Sequence, residues 1–140
     1  MQPNKHRTWA EIDLGAIEHN YRVICEAAKA PVLCVVKADC YGHGAVPVAN
    51  RLQSMGAPYF AVATVPEAVE LRENGIEKPI IILGYIDAAD MDTVAEYGIT
   101  APVYDEETAE LLSAAAVRTG RDITVHYKLD TGMTRIGFPS

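Results

Sequence analysis

The chain has 140 residues, of which 49% are hydrophobic, and it carries a net charge of −7. This composition excludes a disordered tail, and an acidic balance without a basic stripe argues against a nucleic-acid partner. No apolar run approaches the roughly 18 residues that a membrane span needs, so we expect no membrane partner for this chain.

Short apolar runs alternate with amphipathic stretches along the chain. The sequence predicts a helix over 14–29, a strand over 32–36 and a helix over 46–55, followed by alternating strands and helices over 59–63, 64–75, 80–83, 87–98, 101–104, 105–120 and 123–129. Most of the strands lack polar alternation, as expected for parallel strands buried on both faces. Thr64 and Glu67 have the spacing of a capping box, and Gly75, Gly98 and Gly120 mark helix ends.

Alternating strands and helices predict an α/β fold with a parallel sheet. Two architectures fit the pattern. An open doubly wound sheet would be complete within about 140 residues, whereas a (β/α)₈ barrel typically needs about 250. In a barrel, about five strands would be present and the others missing. Periodicity does not separate the two, because a parallel strand has the same pattern in both.

The three cysteines of the chain are Cys25, Cys34 and Cys40, and no two of them form a C-x-x-C pair. An odd number without such a pair argues against a disulfide framework and against a structural metal site. A reducing cytoplasm is the simplest location for such a chain.

The stretch "VVKADCYGHGA", residues 35–45, carries a lysine directly after an apolar strand. The strand period places Leu33, Val35 and Lys37 on one side. Ligands of parallel α/β folds lie beyond the carboxyl ends of strands. Apolar neighbours there would favour the neutral, nucleophilic amine of Lys37, as a covalent bond to an aldehyde requires. The alternative is a strand-end lysine with its ammonium in water, and the spacing alone favours that alternative.

Two glycines, Gly42 and Gly44, follow the lysine and precede a predicted helix. Backbone N–H groups of such a loop can approach an anion at a helix N-terminus, and Tyr41 can donate a hydrogen bond to the same anion. A Gly-x-Gly pattern is weak evidence when it stands alone. His43 is either a functional residue or a loop histidine bonded to the backbone, and the sequence leaves both possibilities open.

A second polar group of residues occurs in "VHYKLDTGMTRIGF", residues 125–138. The strand period places His126, Lys128 and Asp130 on one face. Polar groups on the inner face of a buried strand are costly unless they are paired or functional. Lys128 and Asp130 could therefore form an ion pair, or they could belong to a functional site.

A turn over residues 130–132 would then present Met133 and Arg135 beyond the end of the strand. The planar guanidinium of Arg135 suits a carboxylate or a phenolate oxygen. Two strand ends therefore offer cationic and polar groups at what would be one mouth of the sheet.

The stretches "VVKADCYGHG" and "KLDTGMTRIGF", together with the opening "TWAEIDLGAIEHNYR", resemble alanine racemase, a family of fold-type III enzymes that use pyridoxal 5′-phosphate (PLP). The resemblance covers essentially the whole chain. It implies that residues 1–140 are part of the N-terminal PLP-binding domain, a portion of a (β/α)₈ TIM barrel with about five βα units, and that the family's C-terminal β-domain is absent.

By this resemblance the enzyme is an isomerase that interconverts L-alanine and D-alanine and supplies D-alanine for cell-wall peptidoglycan. Lys37 would hold PLP covalently, and Tyr41 would contact its phosphate. Arg135 would approach the phenolic oxygen of PLP and the carboxylate of the amino-acid substrate, with Met133 near that carboxylate. Lys128 corresponds to a lysine that is carbamylated in some members and orients the arginine. The family works as a homodimer, in which a tyrosine from the partner's β-domain supplies the second acid/base.

Two further readings stay open on the sequence. A serine racemase of the same family would share these motifs, and so would a non-catalytic PLP-binding protein with a single barrel. As part of an enzyme, the chain should be inactive alone and should expose apolar sheet edges. Cys40 stands where alanine is usual in the family, which could make the site sensitive to oxidation.

Overall fold

A computed structural model describes residues 8–139 of the chain, and it has alternating helices and strands. The helices are α1 (Leu14–Ala28), a left-handed helical turn α2 (Lys37–Gly42), α3 (Ala45–Ser54), α4 (Val65–Glu73), α5 (Met91–Glu96) and α6 (Glu106–Thr119). The strands are β1 (Leu33–Val35), β2 (Tyr59–Val62), β3 (Ile80–Ile82), β4 (Ala101–Val103), β5 (Val125–Tyr127), β6 (Leu129–Asp130) and β7 (Phe138–Pro139). No helix in this part of the chain is long and apolar enough to cross a membrane.

The predicted elements are present, with four differences, of which the first is the unpredicted turn α2. The helix predicted over 87–98 begins as a 3₁₀ turn, Ala88–Asp90, before α5. The strand predicted over 123–129 is two strands, β5 and β6. Strand β7 was not predicted, because a two-residue strand has no periodicity and depends entirely on its pairing with β6.

Helix starts follow the side-chain chemistry of the residues before them. The capping box is confirmed, since the Thr64 side chain accepts from the Glu67 N–H and the Glu67 side chain accepts from the Thr64 N–H. Asp105 caps α6 by accepting from the Thr108 N–H at 2.7 Å. Each cap of this kind stabilises a helix by about 1 kcal/mol, so these sequence signals set where the helices begin.

The order of the strands distinguishes the two architectures. Strand β1 pairs with β2, β2 with β3, and β4 with β5, and all of these pairs are parallel. A bridge between Ile81 and Thr100 connects β3 to β4. The strands therefore lie side by side in chain order. In a doubly wound sheet the order of the strands reverses at a switch point. Sequential order is that of a (β/α)₈ barrel, and five of its strands are seen here.

The junction between β3 and β4 is short because Pro102 has no N–H to donate. The Thr100 N–H donates to the Ile80 carbonyl at 2.8 Å, and the Ile82 N–H donates to the Thr100 carbonyl at 3.1 Å. The next bond in this ladder would run from residue 102 to the Ile82 carbonyl, and proline cannot make it. His126 Nε2 lies 3.1 Å from that carbonyl oxygen instead.

The hydrophobic core lies between the sheet and the helices that cover one of its faces. Its fully buried members come from strands and helices alike: Val36, Val48, Phe60, Val62, Leu71, Ile80, Ile82, Val94 and Ile99. The other face of the sheet is the inner face of the barrel. Val35 on β1 and Tyr59 on β2 are exposed there, whereas the small side chain of Ala61 is buried.

Candidate active site

Lys37 lies just beyond the carboxyl end of β1. Cys34 and Val36 are buried in the core beneath the helices. Val35 lies exposed on the opposite face, and Lys37, the first residue of α2, continues the alternation in burial. The alternation predicted around Lys37 is confirmed, and its side chain is half-buried.

The residues after Lys37 form a left-handed turn that was not predicted. Ala38, Asp39, Cys40 and Tyr41 all have φ between 51° and 55°, with ψ between 37° and 52°. The left-handed region costs an L-residue about 1–2 kcal/mol. Since none of these residues is glycine, nothing in their chemistry signals the turn, and contacts from elsewhere must hold it.

Two carboxylates accept hydrogen bonds from the backbone at this turn. Glu67 Oε1, on helix α4, accepts from the Ala38 N–H at 2.8 Å. Asp39 Oδ1 accepts from the Ala45 N–H at 2.7 Å. A hydrogen bond to a charged group contributes about 1.5–3 kcal/mol, so the two carboxylates offset a large part of the cost of the left-handed turn.

The glycine loop does not form the anion-binding backbone that its pattern suggested. Gly42 and Gly44 have φ of 83° and 89°, which explains the choice of glycine at both positions. The N–H groups of Gly44 and Ala45 already donate to Asp39. The Tyr41 side chain is 62% exposed and has no hydrogen-bond partner within residues 8–139, so it is available to an anion.

Neighbouring residues of the same turn explain the position of His43 and the state of the Cys40 thiol. His43 Nδ1 lies 2.9 Å from the Cys40 carbonyl oxygen, so the histidine is bonded to the backbone. Burial raises the pKa of the Cys40 thiol, and the Asp39 carboxylate raises it further. Because the thiolate is the reactive form, the structure does not support the expected sensitivity of Cys40 to oxidation.

Strands β5 and β6 carry the second predicted group of polar residues. Val125 and Tyr127 line a cavity of about 220 Å³ beside helix α6. His126 therefore lies on the other, inner face, as predicted. Lys128 and Asp130 are half-buried like it, but Asp130 belongs to β6, which pairs outside the sheet of β5.

His126 and Asp130 each have hydrogen-bond partners of their own. His126 pairs with the Ile82 carbonyl. Asp130 Oδ1 accepts from the backbone N–H groups of Thr134 at 2.9 Å and Gly132 at 3.0 Å, and these hydrogen bonds hold the pKa of Asp130 below its usual range. In the part of the chain described, Lys128 makes no salt bridge, so the ion pair with Asp130 is not formed.

Met133 and Arg135 lie in the loop that joins β6 to β7. The loop is closed by pairing of Leu129 with Phe138 and of Asp130 with Pro139. Met133 is 71% exposed and Arg135 is exposed as well. The loop follows the carboxyl end of β6, while Lys37 follows that of β1. Because β1 to β5 are parallel neighbours, Lys37 and Lys128 follow strand ends at the same edge of the sheet, whereas Arg135 lies in the loop of the separate β6–β7 pair.

Lys37, Lys128 and Arg135 form no salt bridge within residues 8–139. The salt bridges among residues 8–139 join Glu18 to Arg22 and Arg51, and Asp92 to Arg118. Within the same residues, no group of three or more His, Cys, Asp and Glu side chains could hold a metal ion. A half-buried amine, a free phenol and a free guanidinium fit a ligand that carries an aldehyde and anionic oxygens.

The parallel strands in chain order define a barrel-type α/β protein. A family model described as "Alanine racemase, N-terminal domain" matches residues 12–140. The chain belongs to this family.

Individual relatives agree with the family match. The chain is 48% identical over 131 residues to an alanine racemase of Desulfovibrio desulfuricans, covering 92% of this chain and 35% of that protein. The solved structure of alanine racemase from Clostridium difficile 630 aligns with a TM-score of 0.92 at 42% identity, covering 96% of this chain and 36% of that one. The histidine racemase of Leuconostoc mesenteroides aligns with a TM-score of 0.85 at 33% identity, covering 92% of this chain and 35% of that one. This chain thus spans about a third of the length of these relatives.

Proposed function

We propose that this chain is the N-terminal, cofactor-anchoring part of a PLP-dependent alanine racemase, and that Lys37 is the anchor. The observation that carries the proposal is the position of Lys37, which is half-buried and lies just beyond the carboxyl end of β1. The family membership supports it.

The other candidate residues would bind and orient the cofactor and substrate. Tyr41 would donate its hydroxyl hydrogen to the phosphate, and Arg135 would donate to the phenolic oxygen and to the substrate carboxylate, beside Met133. Lys128, which makes no salt bridge in the described chain, would orient Arg135 once carbamylated.

When bound, PLP supplies an electron sink that makes the Cα proton of an attached amino acid removable. The Lys37 amine would take that proton on one face and return it. Racemisation also needs a group on the opposite face, which would come from the β-domain of the partner subunit in a homodimer. We propose a cytoplasmic enzyme that supplies D-alanine for the cell wall.

Alanine is favoured as the substrate by the identities of the relatives. The curated relatives from Symbiobacterium thermophilum, Desulfovibrio desulfuricans and Clostridium acetobutylicum, at 45–48% identity, are all alanine racemases. A serine racemase and a non-catalytic PLP-binding barrel are not favoured by any of these relatives.

The test is racemisation by the full-length protein that carries this chain, measured with L-alanine, L-serine and L-histidine. We expect turnover of L-alanine to exceed that of the other two. Lys37→Ala should abolish turnover, and Arg135→Ala should lower it while PLP stays bound. Equal turnover of all three substrates would refute the alanine assignment, and full activity of Lys37→Ala would refute the anchor.

A further inference from the structure

Glu67 links the ends of strands β1 and β2 through a single carboxylate. Its Oε1 accepts from the Ala38 N–H at 2.8 Å, and its Oε2 accepts from the Ala63 N–H at 2.8 Å. The last backbone bond between the two strands runs from the Val36 N–H to the Ala61 carbonyl at 2.9 Å. Glu67 therefore bonds to N–H groups that lie just beyond the point where the strands stop pairing.

The contact to Ala38 holds the start of the left-handed turn. Ala38 follows Lys37 directly and is the first of the residues with left-handed dihedrals. The Val36 carbonyl accepts from the Cys40 N–H at 2.9 Å, within the turn. Glu67 is thus the group outside the turn that bonds to its backbone at the residue next to the lysine.

We propose that Glu67 is a positioning residue for Lys37. By holding the Ala38 N–H against the end of β2, it fixes the backbone from which the lysine side chain projects, and it keeps the strained turn closed before any cofactor binds. The predicted effect of Glu67 on PLP binding rests on the proposed function, whereas its predicted effect on the left-handed turn does not.

The inference can be tested by Glu67→Gln, which keeps nearly the same shape but replaces one acceptor oxygen by an amide nitrogen. An ionised carboxylate is an acceptor at both oxygens, so it satisfies two N–H groups at once. In Glu67→Gln the amide oxygen would stay on the side of the Ala63 and Thr64 N–H groups, which both donate to Oε2. The amide nitrogen would then face the Ala38 N–H, and that hydrogen bond is lost. Glu70→Gln is the matched control, since Glu70 lies on the same helix with an exposed side chain that has no hydrogen bond within residues 8–139.

The experiment measures amide hydrogen exchange of the full-length protein without PLP, and then its dissociation constant for PLP. In Glu67→Gln we expect exchange over residues 38–44 to rise about tenfold, exchange over 106–119 to stay as in wild type, and PLP to bind about tenfold more weakly. Glu70→Gln should match wild type in both measurements.

Three results would overturn the inference. Unchanged exchange over 38–44 would show that Glu67 does not hold the turn. A rise confined to 65–73, or spread equally over the domain, would assign Glu67 to helix capping or to general stability. A rise over 38–44 with unchanged PLP affinity would show that the turn does not position Lys37. Failure of the wild-type protein to bind PLP would instead refute the proposed function and leave the exchange result intact.

Discussion

His126 should stabilise the junction of β3 and β4 because it replaces the donor that Pro102 lacks. Ile82 is fully buried, and a carbonyl oxygen accepts hydrogen bonds only, so His126 must carry its proton on Nε2. His126→Phe keeps a ring of similar bulk and removes the donor. The Ile82 carbonyl would then be unsatisfied, at a cost of about 1–3 kcal/mol.

The assay is native-state hydrogen exchange of the full-length protein, which gives local free energies in a large chain. Exchange over residues 80–83 and 124–128 should be about one to two powers of ten faster in His126→Phe than in wild type. Pro102→Ala restores a backbone N–H opposite the Ile82 carbonyl. In that background the His126→Phe change should cost about 1 kcal/mol less, since the carbonyl keeps a donor. An equal cost in both backgrounds would refute the reasoning.

Two further predictions concern titratable groups. Asp130 has a lowered pKa because the Thr134 and Gly132 N–H groups bond to its ionised form. Its stabilising effect is therefore present above the ordinary aspartate pKa of about 4 and is lost as the pH falls through the lowered value. Protection of residues 132–134 from exchange should fall below about pH 4, and Asp130→Ala should remove that dependence; a flat wild-type profile would contradict the assignment. Burial, followed by the neighbouring Cys25 and Cys40, raises the pKa of the Cys34 thiol to about 11. Alkylation of Cys34 at pH 8 should therefore be about 100-fold slower in the native protein than in urea, and equal rates would show that the thiol is not buried.

The features that could be predicted from the sequence are those with a local pattern. The strand period around Lys37, the alternation of His126, Lys128 and Asp130, and the capping box at Thr64 each depend on neighbouring residues alone. The barrel could not be separated from the open sheet by the same means, because the distinction lies in the order of the strands.

The features that could not be predicted depend on contacts between distant residues. The left-handed turn contains no glycine between Ala38 and Tyr41, and it is held by Glu67, which is 29 positions from Ala38. His126 was singled out as a polar residue on an inner face, but its partner is the Ile82 carbonyl, 44 positions away. Pro102, inside the predicted strand 101–104, was the available signal for this contact, since a proline leaves a carbonyl of the neighbouring strand without its donor.

The central claim is that Lys37 anchors the cofactor, and borohydride reduction of the PLP-loaded full-length protein tests it most directly. Peptide mass mapping after reduction should place a phosphopyridoxyl group on Lys37, and Lys37→Ala should lose both the label and the visible absorbance of the bound cofactor. Lys128 is the matched control, since it is a second half-buried lysine at the same end of the sheet. Labelling of Lys128 or of another lysine, with Lys37 unmodified, would contradict the account.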